Sequence, residues 1–328
     1  MPNSIPKLRR SFKARLATFL NRNLSRAELA IYRFRERAHK LPASIQDYLQ
    51  GTNPYLTTLR KRYVEFGMFE HSFWQEWRGT LDLQRFRQNG DFLAQSYEKG
   101  RRLNYMLTTA YAEALDDWHL LWELSEDCLF GAMGFKFAGD LLVTRDLLDS
   151  VLEITFLKNE LGLKRDDTLR ILDIGAGYGR FAHRFSATFP NSHVTCIDAV
   201  PESTFLCDFY IKHRNFESQA ASVPLYERDS LIGETFDLAV NIHSWPECTL
   251  ATITNWLEFI VACNIRRLLV IPHAESFWCT EPDGSKPSFL GEIERHGFRL
   301  RKQIRKFERS RLLQEEGIFN TAYALFER

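Results

Sequence analysis

The chain has 328 residues, 43 Lys and Arg against 42 Asp and Glu, and a formal net charge of +1. Its total charge therefore demands neither a nucleic acid nor a strongly acidic ligand. With 45% hydrophobic and 13% aromatic residues it reads as globular, which excludes disorder and collagen-like repeats. No apolar run reaches the roughly eighteen residues of a membrane-spanning helix. Lys7, Arg9, Arg10, Lys13 and Arg15 interrupt the place where a secretory signal would have its apolar region. Cys128, Cys196, Cys207, Cys248, Cys263 and Cys279 show neither a C-x-x-C pair nor zinc-ligand spacing, so free thiols and a cytoplasmic location are expected.

The near-neutral total hides an asymmetry. Residues 1–40 contain eleven basic and two acidic residues, and the rest of the chain holds 32 basic against 40 acidic. Within this segment Leu8, Phe12, Leu16 and Phe19 or Leu20 recur at helical spacing, which predicts an amphipathic helix with a cationic face. Such an arm (residues 1–50) suits a membrane surface or a polyanion; a solvated helix packed on the body is the plainer alternative. Pro42, Gly51 and Pro54 then mark a linker.

Residues 51–164 read as a mostly helical region, the expected cap on the acceptor side. Leu103 to Leu124 has few helix breakers, and Gly131, Gly134 and Gly139 among Phe130, Phe135 and Phe137 predict a loop. From Thr144 to Leu157, Leu147, Leu148, Val151, Ile154 and Leu157 fall at three- and four-residue spacing and predict a helix.

From residue 165 to 328 short apolar runs alternate with amphipathic helices, the pattern of a parallel α/β sheet. Strands are expected at Leu169–Ile174, Val194–Ile197, Phe236–Ile242 and Arg267–Ile271, with a weak one near Ala221–Leu225. Helices are expected at Arg180–Phe189, Glu202–His213, Thr249–Cys263 and Phe289–His296. Phe298–Lys306 and Thr321–Phe326 read as an antiparallel pair closing the sheet.

One stretch carries chemistry: Leu172-Asp173-Ile174-Gly175-Ala176-Gly177-Tyr178-Gly179-Arg180, where a strand gives way to a helix. Glycines there permit positive φ and close approach of a ligand to the backbone, and the helix start offers unpaired N–H groups. Nucleotide binding is the natural reading, a ligand-free turn the plain one. A dinucleotide fingerprint needs a glycine where Arg180 stands, and Asp173 would repel a pyrophosphate but welcome an amine. Asp198, at the end of the second strand, is placed to accept hydrogen bonds from a ribose diol.

On these residues the sequence resembles the class I S-adenosylmethionine-dependent methyltransferases. Asp173, Gly175, Gly177 and Gly179 match the first motif and Asp198 the ribose-binding acid. Asn241-Ile242-His243-Ser244-Trp245-Pro246-Glu247 and Val143-Thr144-Arg145-Asp146-Leu147-Leu148-Asp149-Ser150 resemble segments of bacterial sugar O-methyltransferases. The resemblance implies a Rossmann-like seven-stranded methyltransferase sheet with an N-terminal helical region. It implies S-adenosyl-L-methionine held by Asp173, Gly175, Ala176, Gly177, Tyr178, Gly179, Asp198, Ala199, Asn241 and Ile242. It also implies a small saccharide as acceptor.

A sugar hydroxyl is a poor nucleophile near neutral pH, so a base is expected. His243, at the C-terminal end of a parallel strand where α/β sheets place ligands, is the first candidate, against a structural histidine bonding a loop carbonyl. Glu247 would orient the imidazole or bind acceptor hydroxyls, or simply favour a helix dipole; His273 is a second base candidate. Arg145 and Asp146 are read as lining the acceptor cleft or as a surface ion pair, and Tyr178 as covering the cofactor or exposed. No spacing selects a metal. The alternatives are another small-molecule or lipid acceptor, or a non-catalytic cofactor-binding module. Nucleic acid is not expected, since Asn241 is followed by Ile242-His243-Ser244 rather than the amino-acceptor tetrapeptide, and the body is acidic. Oligomeric state is left open.

Overall fold

A computed structural model describes residues 32–34, 41–69, 74, 80–88, 92, 102–136 and 141–328. The expected amphipathic arm helix, with Leu8 to Leu20, lies outside the described residues, as do Phe137 and Gly139. Seven strands form the central sheet: β1 (Arg170–Ile174), β2 (His193–Ile197), β3 (Ala220–Val223), β4 (Leu238–Ile242), β5 (Arg267–Ile271), β6 (Arg299–Arg305) and β7 (Ala322–Glu327). Their order across the sheet is β3-β2-β1-β4-β5-β7-β6. The first five are parallel, and β7 runs antiparallel to both β5 and β6.

The strands form because short apolar runs are buried on both faces. Leu172, Ile174, Ala239, Leu268 and Val270 point to one core and Ile171, Val194, Val240, Leu269 and Ile271 to the other, the period-two alternation of extended chain. Helices cover both faces: α1 (Ala43–Tyr48), α2 (Pro54–Tyr63), α3 (Arg102–Leu115), α4 (Arg145–Leu161), α5 (Arg180–Thr188), α6 (Pro201–His213), α7 (Leu250–Ala262), α8 (Leu290–Arg295) and α9 (Arg311–Glu316). This is the doubly wound α/β architecture expected of the alternating pattern. Among the described residues no helix is long and apolar enough to cross a membrane.

Differences from expectation have local causes. The run from Leu103 breaks after Leu115, where Asp116 Oδ2 accepts from Leu121 N at 2.7 Å and His119 turns left-handed at φ 60°. Gly134–Lys136 is a strand rather than a loop, paired with Tyr32–Phe34 and Leu142–Val143 in a small antiparallel sheet. A Cβ on Gly134 would lie 2.6 Å from Cys128 Sγ, so glycine there lets the chain pack closely.

α4 carries the N-terminal half onto the sheet. Thr144 caps it by accepting from Leu147 N at 3.1 Å, and Gly162, left-handed at φ 65°, ends it, the usual cap residues at each end. Its polar positions are buried too. Asp146 accepts from Arg87 Nη2 at 2.9 Å and lies 3.5 Å from Arg184 Nε, while Glu126 accepts from Arg87 at 2.8 Å and Arg184 at 3.0 Å. Arg145 pairs with Asp149, one turn on, at 2.9 Å. The expected surface pair Arg145–Asp146 is therefore corrected: neighbours in sequence do not face each other on a helix, and residues four apart do.

Candidate active site

Strand order reverses between β1 and β4, and at such a switch point the crevice beyond the strand ends is free for a ligand. β1 ends in Asp173 and Ile174, and the chain turns through Gly175, Gly177 and Gly179 into α5. Gly175 has φ +71°, and a Cβ there would lie 2.1 Å from Ser244 Oγ; no other residue fits. Asp198, just past β2, braces the turn, its Oδ2 accepting from Gly177 N at 2.9 Å and its Oδ1 from Val200 N at 2.8 Å. The Ser203 hydroxyl and the Ala199 N–H bond the same carboxylate.

Asp173 is 2% exposed, and its Oδ2 has no hydrogen-bond partner among the described residues. Burial pushes its carboxyl up to about 8, against the pull of Arg180 and with a further push from Asp198. An isolated buried carboxyl of this kind stays protonated until a cation arrives. Burial also raises Asp198, to about 6, despite the N–H groups it accepts. Arg180, where a dinucleotide fold has glycine, forms a fork on Glu153 at 2.8 and 2.9 Å.

The loop after β4 is the opposite wall. Asn241 Nδ2 donates to Ile174 O at 2.8 Å and to Ser244 Oγ at 2.6 Å, and its Oδ1 accepts from Trp245 N at 3.2 Å. These bonds tie the loop to the end of β1. His243, left-handed at φ 67°, donates its backbone N–H to Ile271 O at 2.8 Å. Its Nδ1 has no partner among the described residues, and burial beside Arg145 holds its imidazole well below its ordinary value.

Glu247 Oε2 accepts from Trp74 Nε1 at 2.8 Å, and Oε1 lies 3.4 Å from His273 Nε2. Burial raises the Glu247 carboxyl to about 7, while burial and Arg145 lower His273 to about 4. Near pH 7 the histidines are neutral and Glu247 is half ionised, so the group best matched to accepting a proton is the carboxylate.

Asp173, Gly175, Ala176, Gly177, Tyr178, Asp198, Ile242, His243 and Glu247 line one cavity of about 70 Å³. Gly179, Ala199, Asn241 and His273 are not among its lining residues. The amide of Asn241 is spent on bracing the loop, and Gly179 packs against Cys207. Glu247 faces His273 and Trp74, so it does not orient His243. Tyr178 is neither exposed nor a cover: its hydroxyl is buried and donates to Asp146. Arg145 and Asp146 are buried behind the turn rather than lining a cleft. Trp74 and Phe92 stand against the cavity, their ring centroids 5.2 Å apart; both come from the helical half, and no local pattern marks them. Among the described residues no group of three His, Cys, Asp or Glu could hold a metal ion.

No protein-family model and no curated protein matches the chain. Solved structures do. One is an S-adenosylmethionine-dependent methyltransferase from Aquifex aeolicus, 17% identical, covering 51% of this chain and 87% of that one, TM-score 0.38. Another is a methyltransferase from Geobacter sulfurreducens in complex with S-adenosyl-L-homocysteine, 14% identical, covering 54% and 90%, TM-score 0.35. A third is the cyclase SpnF, 13% identical, covering 70% and 96%, TM-score 0.41. The likeness is one of fold, and one fold hosts many activities.

Proposed function

We propose that the chain is an S-adenosylmethionine-dependent O-methyltransferase that acts on a saccharide hydroxyl. The observation that carries the cofactor is Asp173, a buried carboxyl with a free oxygen beside a glycine turn that only glycine can make. It suits the amine of the methionine end, and Asp198 the ribose diol. The cofactor supplies a methyl on sulfonium sulfur, electrophilic enough that alignment and exclusion of water are the protein's main tasks. Glu247 takes the proton of the acceptor hydroxyl, and neutral His243 hydrogen-bonds and orients that hydroxyl.

A cavity of about 70 Å³ is below the about 300 Å³ at which small-molecule sites begin. Trp74 and Phe92, which line it, are the side chains a cofactor would displace on entering. The saccharide acceptor rests on the resemblance of the loop Asn241–Glu247 and of the Val143–Ser150 segment. The test is transfer from radiolabelled S-adenosylmethionine to nucleotide sugars and oligosaccharides, with phenols, lipids and RNA as the competing panel. Label in the sugars supports the reading; label only in another class replaces the acceptor, and cofactor binding without any transfer makes the chain a binding module.

A further inference from the structure

Phe319, in the loop between α9 and β7, does not line the cavity at the glycine turn, yet it touches both histidines beside it. Its ring centroid is 4.8 Å from that of His243 and 5.9 Å from that of His273, with the planes crossing at 77° and 85°. We infer that Phe319 is a positioning residue: clamped from behind by a buried ion cluster, it sets the stance of the His243 imidazole toward the acceptor. This rests on the methyl-transfer reading above, though not on a saccharide as the acceptor.

The backbone gives an independent pointer. Phe319 is left-handed at φ 47°, and His243 is left-handed at φ 67°. Such a conformation in a bulky residue persists only where the surroundings over-determine it, and these outliers gather at functional sites. Here two of them fall on side chains in ring contact.

What holds Phe319 is charged and buried. Lys306, 3% exposed, donates to the carbonyls of Ile318 at 3.0 Å and of Phe319 at 3.4 Å. The guanidinium carbon of Arg145 lies 3.8 Å from the centroid of the Phe319 ring, a cation–π contact. Asp149 joins the two cations, one oxygen accepting from Arg145 Nε at 2.9 Å and the other from Lys306 Nζ. Thr321 ties the same loop to the end of β5, its hydroxyl donating to the carbonyl of Pro272, next to His273. A buried ion cluster adds little net stability over apolar packing of the same volume; this one fixes the ring and the backbone of Phe319 together.

The consequence falls on the imidazoles. The backbone of His243 is pinned to Ile271 O, and with Phe319 against one side its ring is left to line the cavity. Burial, and then the Arg145 guanidinium beyond the Phe319 ring, hold His243 well below its ordinary value and His273 at about 4, so both present neutral rings. Leucine at 319 would lose the seat of Arg145 and the ring contact with His243 at once.

The test compares Phe319→Leu and Phe319→Tyr with the parent, all as full chains. Phe319 is half-buried, so both are expected to fold, and Phe319→Met is the second variant without a ring. Transfer from radiolabelled S-adenosylmethionine is followed to whichever of the nucleotide sugars, oligosaccharides, phenols, lipids or RNA takes label from the parent. Phe319→Leu should lower kcat about 10- to 100-fold, the scale of a misplacement of about 1 Å, with cofactor affinity unchanged, and Phe319→Tyr should restore most of it. In NMR of the histidine-labelled chain, the His243 ring signals, assigned by their loss in His243→Asn, should move in Phe319→Leu and stay in place in Phe319→Tyr. Full turnover in Phe319→Leu, unmoved His243 signals, or a Phe319→Tyr chain as slow as Phe319→Leu would overturn the inference alone. A parent chain that labels no member of the panel overturns the methyl-transfer reading and this inference with it.

Discussion

Protons released on binding test the role of Asp173. One pH unit below a pKa of about 8, a carboxyl is about ten parts protonated to one ionised. If an ammonium then docks against Asp173 and the carboxyl ionises, about 0.9 proton leaves at pH 7. Asp198, at about 6, is already mostly ionised there and adds about 0.1. At pH 9 the carboxyl gives up only about 0.1, while the ligand's α-amine, ordinarily at about 7.7–8.0, takes up most of a proton to dock as the ammonium, so the net exchange becomes uptake. Calorimetry of S-adenosylmethionine binding in buffers of different ionisation enthalpy measures this number. The sign also fixes a stability effect. A carboxyl raised in the folded state keeps its proton where the unfolded chain has lost it, so stability falls between about pH 4 and pH 8. Asp173→Asn should remove that fall, melt at higher temperature at pH 8, lose most of its cofactor affinity and release no proton from this position. Saturable binding with a release near zero at pH 7, or the same release from Asp173→Asn, would refute the reasoning.

Other residues give sharper or broader readouts. Turnover should rise with pH through about 7 as Glu247 ionises, and Glu247→Gln should flatten the profile and cost about 10² to 10⁴ in kcat with cofactor affinity kept. Trp74→Ala, by opening the cavity, should speed cofactor association in stopped flow; an unchanged rate contradicts its place at the entrance. Arg87→Met leaves Glu126 and Asp146 buried with one cation fewer, which should cost about 3–5 kcal/mol in urea denaturation. Removing residues 1–31 should leave cofactor affinity unchanged and abolish sedimentation with anionic liposomes; full-length chain that never sediments with them leaves the arm without that role.

The strands of the sheet were legible because each is a short apolar run, and Arg267–Ile271 coincides with β5. β3 was faint because it is an edge strand whose Ala221, Ser222 and Val223 are only half-buried. The glycine turn and Asp198 were legible because backbone freedom and charge are local properties. The buried ion network was not: Arg87 meets Asp146 and Glu126 across 59 and 39 residues, and a charged residue without its partner in view reads as surface. The same limit explains Glu247, whose carboxyl is raised by burial and accepts a hydrogen bond from Trp74, 173 residues away.

The central claim is that the glycine turn holds S-adenosylmethionine, and equilibrium dialysis of the labelled cofactor against the full chain tests it most directly. Saturable binding of one molecule per chain is predicted, displaced by S-adenosylhomocysteine and lost in Gly175→Val, whose side chain would collide with Ser244. No saturable binding to the folded parent chain, or full binding to Gly175→Val, would contradict it.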